Sequence, residues 1–209
     1  MLENIANAIK DKDKSAVLLL LTCFTFVFIM PVFEFPSNIF SIILFSLILF
    51  LASYPISRKV MFIGFVAILI ELATRATDLI YLHYLAELTT NLFIIFLVGS
   101  VVRHMMNQKN VTIYTLVNAL NGYLLLGIMF MSLVAFCAQY LPGSFNESGD
   151  SAMELVYYTL ITLTTAGYGD ITPQLPIAQS LAMLIAITGQ FYVAVVVAIL
   201  VGKYSSSVN

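Results

Sequence analysis

The chain has 209 residues, of which 61% are hydrophobic and 10% charged, with a formal net charge of -2. A soluble domain carries about 25% charged residues, so this composition excludes an ordinary water-exposed fold and points to lipid as the solvent. The near-neutral balance gives no nucleic-acid signal, and no polar stretch is long enough to build a second, soluble domain.

Residues 1–14 form a separate piece. Leu2, Ile5, Ala6 and Ile9 share one helical face, and Lys10, Lys12 and Lys14 follow. Two readings stay open: an interfacial helix on the inner leaflet, or a cytoplasmic tail. Six apolar runs come next, at 15–33, 39–57, 60–81, 88–106, 112–141 and 176–204. Each meets the roughly 20 residues that a spanning helix requires. The runs are continuous rather than alternating, which selects helices over a barrel. Pro31, Pro36, Pro55 and Pro142 fall near the ends of runs, where proline stops a helix. The expected fold is therefore an all-α membrane protein with six transmembrane helices.

Basic residues orient it. With the N-terminus inside, Lys10, Lys12, Lys14, Arg58, Lys59, Arg103, Lys109 and Lys203 are cytoplasmic, eight of the nine Lys and Arg. Only Arg75 lies in the outer half. This predicts a multi-pass protein of the cell (plasma or inner) membrane with both termini cytoplasmic.

Cys23 and Cys137 sit inside apolar runs without metal-ligand spacing and read as small buried hydrophobes. Leu21-Thr22-Cys23 is not a lipoprotein cleavage site, because Thr precedes the Cys, and no Ala-x-Ala-like site is present. In the third run, Glu71, Arg75 and Asp78 are spaced to share one helical face. Glu71 falls near midplane, where a charge is costly unless paired. The cluster reads as a structural salt-bridge group or as a gating or ligand-sensing network. The fourth run has only Arg103 and His104 near its inner end. A voltage sensor needs several charges, each contributing about 2.3 kcal/mol per 100 mV, so steep voltage gating is not expected. Asn118 and Asn121 in the fifth run suggest interhelical hydrogen bonding.

The pattern breaks between the fifth and sixth runs. Ser151-Ala152-Met153-Glu154 is a capping box. The helix it opens, 152–164, is about 20 Å long, too short to cross a bilayer. It must re-enter. Non-helical backbone at membrane depth must then line a cavity or be buried in protein. Gly167 and Gly169 tolerate φ > 0. Alternation of that kind lets successive carbonyls face one way and replace water around a cation.

The stretch from Leu160 through Thr164-Thr165-Ala166-Gly167-Tyr168-Gly169-Asp170 resembles the pore signature of the potassium channel superfamily. Tyr157-Tyr158 occupies the place of that family's aromatic pair, and Pro173 matches a proline just outside the filter. Gly189, twenty residues after Gly169, matches a hinge glycine. The resemblance covers roughly 112–204. It implies a four-helix transmembrane domain at 15–107 and a pore domain at 108–209. The pore domain would hold outer helix 112–141, pore helix 152–164, filter 165–169 and inner helix 176–204. Potassium would bind carbonyls of Thr165, Ala166, Gly167 and Tyr168, with Gly169 completing the filter. Asp170, Tyr157, Tyr158 and Thr164 would support it, and Thr188 and Gly189 would border the cavity.

One pore repeat cannot close a ring, so the resemblance implies a homotetramer with three identical subunits as partners. It implies no cofactor beyond potassium in the filter, no nucleic acid and no enzymatic activity. The chain resembles the short bacterial six-transmembrane type without a charged voltage-sensing segment. It ends soon after the sixth run, so no cytoplasmic ligand-binding domain is expected. Ala166 stands where Val is usual. Ile161 stands where some relatives carry a Glu paired with the filter Asp. Asp170 is then expected to accept from Tyr157 or Tyr158. For Gly189, hinge bending and close helix packing both remain open.

Overall fold

The computed structural model describes residues 12–29, 38–54, 58–75, 80–107, 112–146 and 151–208. Among them every extended element is a helix: α1 Lys12–Phe24, α2 Asn38–Ser53, α3 Arg58–Arg75, α4 Ile80–Asn107, α5 Ile113–Tyr140, α6 Ala152–Leu163 and α7 Pro176–Val208. The only β pairing among the described residues is an isolated bridge between Phe145 and Pro173. The chain divides into two compact units, Met1–Gly122 and Tyr123–Asn209.

In the first unit, α1 packs on α2, α2 on α3 and α3 on α4. Leu19, Cys23, Val27, Ile48, Leu49, Ile94 and Leu97 are buried there. Gly64 sets the approach of α3. A Cβ at that position would lie 2.9 Å from Ser53 Oγ and 3.2 Å from Phe93 Cζ. Two hydroxyls inside apolar helices are satisfied locally: Thr22 donates to Leu18 O at 2.8 Å, and Ser53 to Leu49 O. Asn121 Nδ2 donates to Ala16 O at 2.8 Å, tying the start of α5 to α1. Phe62, Ile63, Phe65, Leu92, Ile95 and Phe96 are exposed, an apolar exterior suited to lipid.

Three local features refine the expected runs. α1 is described from Lys12, so Lys12 and Lys14 lie on a helix continuous with the first apolar run; the rest of the 1–14 segment lies outside the described residues. α1 runs on as a π-helical turn, Thr25–Ile29, which residue periodicity does not signal. α3 is described to Arg75, and α4 from Ile80, so that it carries Ile80 and Tyr81 of the expected third run; residues 76–79 lie outside the described residues.

The second unit holds the remainder of α5 with α6 and α7, and α6 packs on α7. α5 and the Pro176–Lys203 stretch of α7 are each long and apolar enough to cross a membrane, with mean hydropathies of 1.9 and 2.5. Lys14–Ile29, Ile43–Ser53 and Leu88–Arg103 are shorter apolar helical stretches.

Candidate ion pathway

The capping box forms. Ser151 N–H donates to Glu154 Oε2 at 2.8 Å, and Glu154 N–H donates back to Ser151 Oγ at 3.2 Å. α6 has 12 residues, about 18 Å of helix against a hydrocarbon core of about 30 Å. It ends inside the protein, so its last carbonyls need partners. Leu160 O accepts from Thr164 N–H at 2.9 Å, and Thr162 O accepts from Thr165 N–H at 3.0 Å. Ile161 O accepts from both Ala166 N–H at 2.9 Å and Gly167 N–H at 3.1 Å.

This is a Schellman closure, with Thr164 as C-cap and Thr165 as the left-handed residue beyond it. Thr165 has φ 61°, Gly167 φ 52° and Gly169 φ 79°. Positive φ therefore falls on every second residue, starting one step earlier than the glycines indicate. A β-branched residue in this region costs about 1–2 kcal/mol, offset here by the bonds that end the helix. The N–H groups of residues 165–167 all turn back to α6. The carbonyls of residues 165–169 accept from no described residue, and Thr164 to Asp170 are all exposed in the single chain.

A second set of bonds fixes the far end. Asn146 Nδ2 donates to Asp170 O at 2.9 Å, and Asn146 Oδ1 accepts from Thr172 N–H at 3.0 Å. Asn146 N–H donates to Thr172 O at 3.1 Å, and Gln174 N–H to Ser144 O at 2.8 Å. Ser144, almost wholly buried, donates to Leu141 O and lies 3.1 Å from Cys137 O. Asn146 and Ser144 were not legible as site residues. Each acts across a loop, and only their placement opposite residues 170–174 gives them a role.

Of the two tyrosines open as partners of Asp170, Tyr157 is the one that interacts with its carboxyl. Its hydroxyl holds the Asp170 carboxyl below the ordinary 3.8 of an aspartate. Tyr158 is instead buried, with its ring edge-on to Phe145 at 5.0 Å. Ile161 is half-buried on α6.

An ion channel family matches residues 91–205, more than half of the chain. The chain belongs to this potassium-type ion channel family. It is a membrane protein and a channel rather than an enzyme. No solved structure matches it.

Behind the free carbonyls, the channel packs three helices around one residue. Leu163, the last residue of α6, is 1% exposed. Its carbonyl accepts from Tyr123 on α5 at 3.2 Å. A Cβ built on Gly127 of α5 would lie 3.3 Å from Leu160 Cδ2. A Cβ built on Gly189 of α7 would overlap the Leu163 carbonyl oxygen. Gly189 thus lets α7 pass directly against the end of α6, and α7 runs unbroken through it. Tyr123 also packs on Tyr192 of α7, with ring centroids 5.7 Å apart. Thr188 is half-buried beside Gly189. Glu71 and Arg75 lie on α3 of the channel. Asp78 and the side chains of Glu71 and Arg75 fall outside the described residues, and so does the proposed network.

Proposed function

We propose that the chain is one subunit of a potassium-selective homotetrameric channel that conducts passively through a central pore. The observation that carries this reading is the run of positive φ at Thr165, Gly167 and Gly169, with carbonyls from residue 165 to 169 that accept from no described residue. Alternate left-handed residues turn successive carbonyls to one side, where they replace a cation's water shell. The potassium ligands in this reading are the carbonyls of Thr165, Ala166, Gly167 and Tyr168, with Gly169 at the outer end. Thr164, Asp170, Tyr157 and Tyr158 support the filter, and Thr188 and Gly189 border the cavity below it.

A tetramer follows from the same segment. Exposed non-helical backbone is tolerated at membrane depth only where it is buried in protein or lines a water-filled path. Three further copies supply that setting. Only 17% of the apolar window of α7 is buried within one chain, against 61% for α5. Neighbouring subunits and lipid would cover the remainder. Six crossings with both termini cytoplasmic, in the cell membrane, match the apolar stretches and the basic residues. The fourth segment carries too few charges for steep voltage gating, as in the short bacterial six-transmembrane type.

The test is single-channel recording of the purified tetramer in a planar bilayer under a potassium/sodium gradient. A reversal potential near the potassium equilibrium value is expected. Unitary currents without discrimination between the two ions would refute the selective reading.

A further inference from the structure

We infer that Tyr123 is a positioning residue for the filter, holding its inner end in the conducting arrangement through the Leu163 carbonyl. The inference rests on the potassium-channel reading above. The last four carbonyls of α6 are accounted for one by one. Three are taken by N–H groups of residues 164–167, which belong to the same turn. The fourth, Leu163 O, accepts from the Tyr123 hydroxyl, supplied by another helix.

Leu163 immediately precedes Thr164 and the left-handed Thr165, so any rotation of its peptide turns the first carbonyls of the filter. Two helices act on it from different directions. Tyr123 draws the oxygen toward α5, and the backbone of α7 at Gly189 leaves no room for it to swing that way. Tyr123 and Tyr192 are also in ring contact, so a shift of α7 moves the phenol that holds the carbonyl. At 3.2 Å the bond is long for a phenol donor. It is therefore sensitive to small displacements of either helix.

The test compares wild-type tetramer with Tyr123→Phe in planar bilayers, reading the decay of potassium current at low and at high external potassium. Tyr123→Phe keeps the ring against Tyr192 and removes only the hydroxyl. Current decay is expected to be about fivefold faster at low external potassium, the usual consequence of one lost hydrogen bond. High external potassium should restore it, because bound ions favour the conducting filter by mass action. A merely structural role would not respond to potassium. Replacing Tyr123 by 3-fluorotyrosine, a more acidic and better donor, should slow the decay and serves if Tyr123→Phe fails to assemble. Decay unchanged in both variants, or accelerated by Tyr123→Phe equally at both potassium levels, would overturn the inference. A wild-type tetramer without potassium-selective current would instead remove the functional reading, and this inference with it.

Discussion

Asn146 and Thr172 are bonded in both directions. Asn146 donates its backbone N–H to Thr172 O at 3.1 Å and accepts the Thr172 N–H on Oδ1 at 3.0 Å. With the amide nitrogen on Asp170 O, one side chain thus secures two residues beyond the proposed filter, Asp170 and Thr172.

Asn146→Ala removes two of these bonds. The expected loss is about 1–3 kcal/mol per subunit, at about 0.5–1.5 for each bond, and toward the low end because the site is partly exposed. Asn146→Asp keeps the acceptor for Thr172 and loses the donor to Asp170, so it should fall between Ala and wild type. Thermal dissociation of the proposed tetramer followed by gel mobility checks the order. Equal behaviour of Ala and wild type would show that the outer clip contributes nothing.

Gly189→Ala sets two effects against each other. Alanine improves helix propensity by about 1 kcal/mol over glycine. Its methyl would overlap the Leu163 carbonyl, a backbone atom that cannot rotate away, and overpacking of this kind typically costs about 1–3 kcal/mol. Net destabilisation is expected, with reduced current per assembled channel. A variant that is more stable than wild type would assign Gly189 to bending rather than to packing.

Ala166→Val should leave selectivity intact. Ala166 is not among the residues with positive φ, so a β-branched side chain is tolerated there. In the proposed filter the ion meets its carbonyl and not its side chain. A reversal potential under bi-ionic potassium/sodium conditions that moves away from wild type would contradict this.

The acid response of the outer mouth has a fixed sign. Tyr157 lowers the affinity of Asp170 for protons, so the bond contributes fully above the ordinary aspartate value of 3.8. It is lost only as external pH falls through the depressed value. Unitary conductance should therefore stay flat from neutral pH to about 4 in wild type. In Tyr157→Phe the acid fall-off should move to higher pH. Superimposable titrations would remove Tyr157 from the account.

Local chemistry made part of this molecule readable. The capping box and the glycines at 167 and 169 lie within a few residues of what they control, and both appear as expected. Contacts that join distant segments were not readable. Asn146 reaches Asp170 across 24 positions, and Tyr123 reaches Leu163 across 40. No spacing rule ties a loop asparagine or a helical tyrosine to a particular carbonyl. The left-handed Thr165 escaped notice because residue type argues against it; the helix end imposes it.

Ile161 O accepts two amides from the segment beyond its own helix. The end of α6 and the start of the carbonyl run therefore cannot open separately: fraying the last turn releases Ala166 and Gly167 together. In amide hydrogen exchange these residues should behave as one cooperative unit with Leu163 and Thr164, sharing one opening free energy. Heat or ligands would then melt this end of the proposed filter as a block, without passing through a state in which the helix is whole and the backbone beyond it is loose.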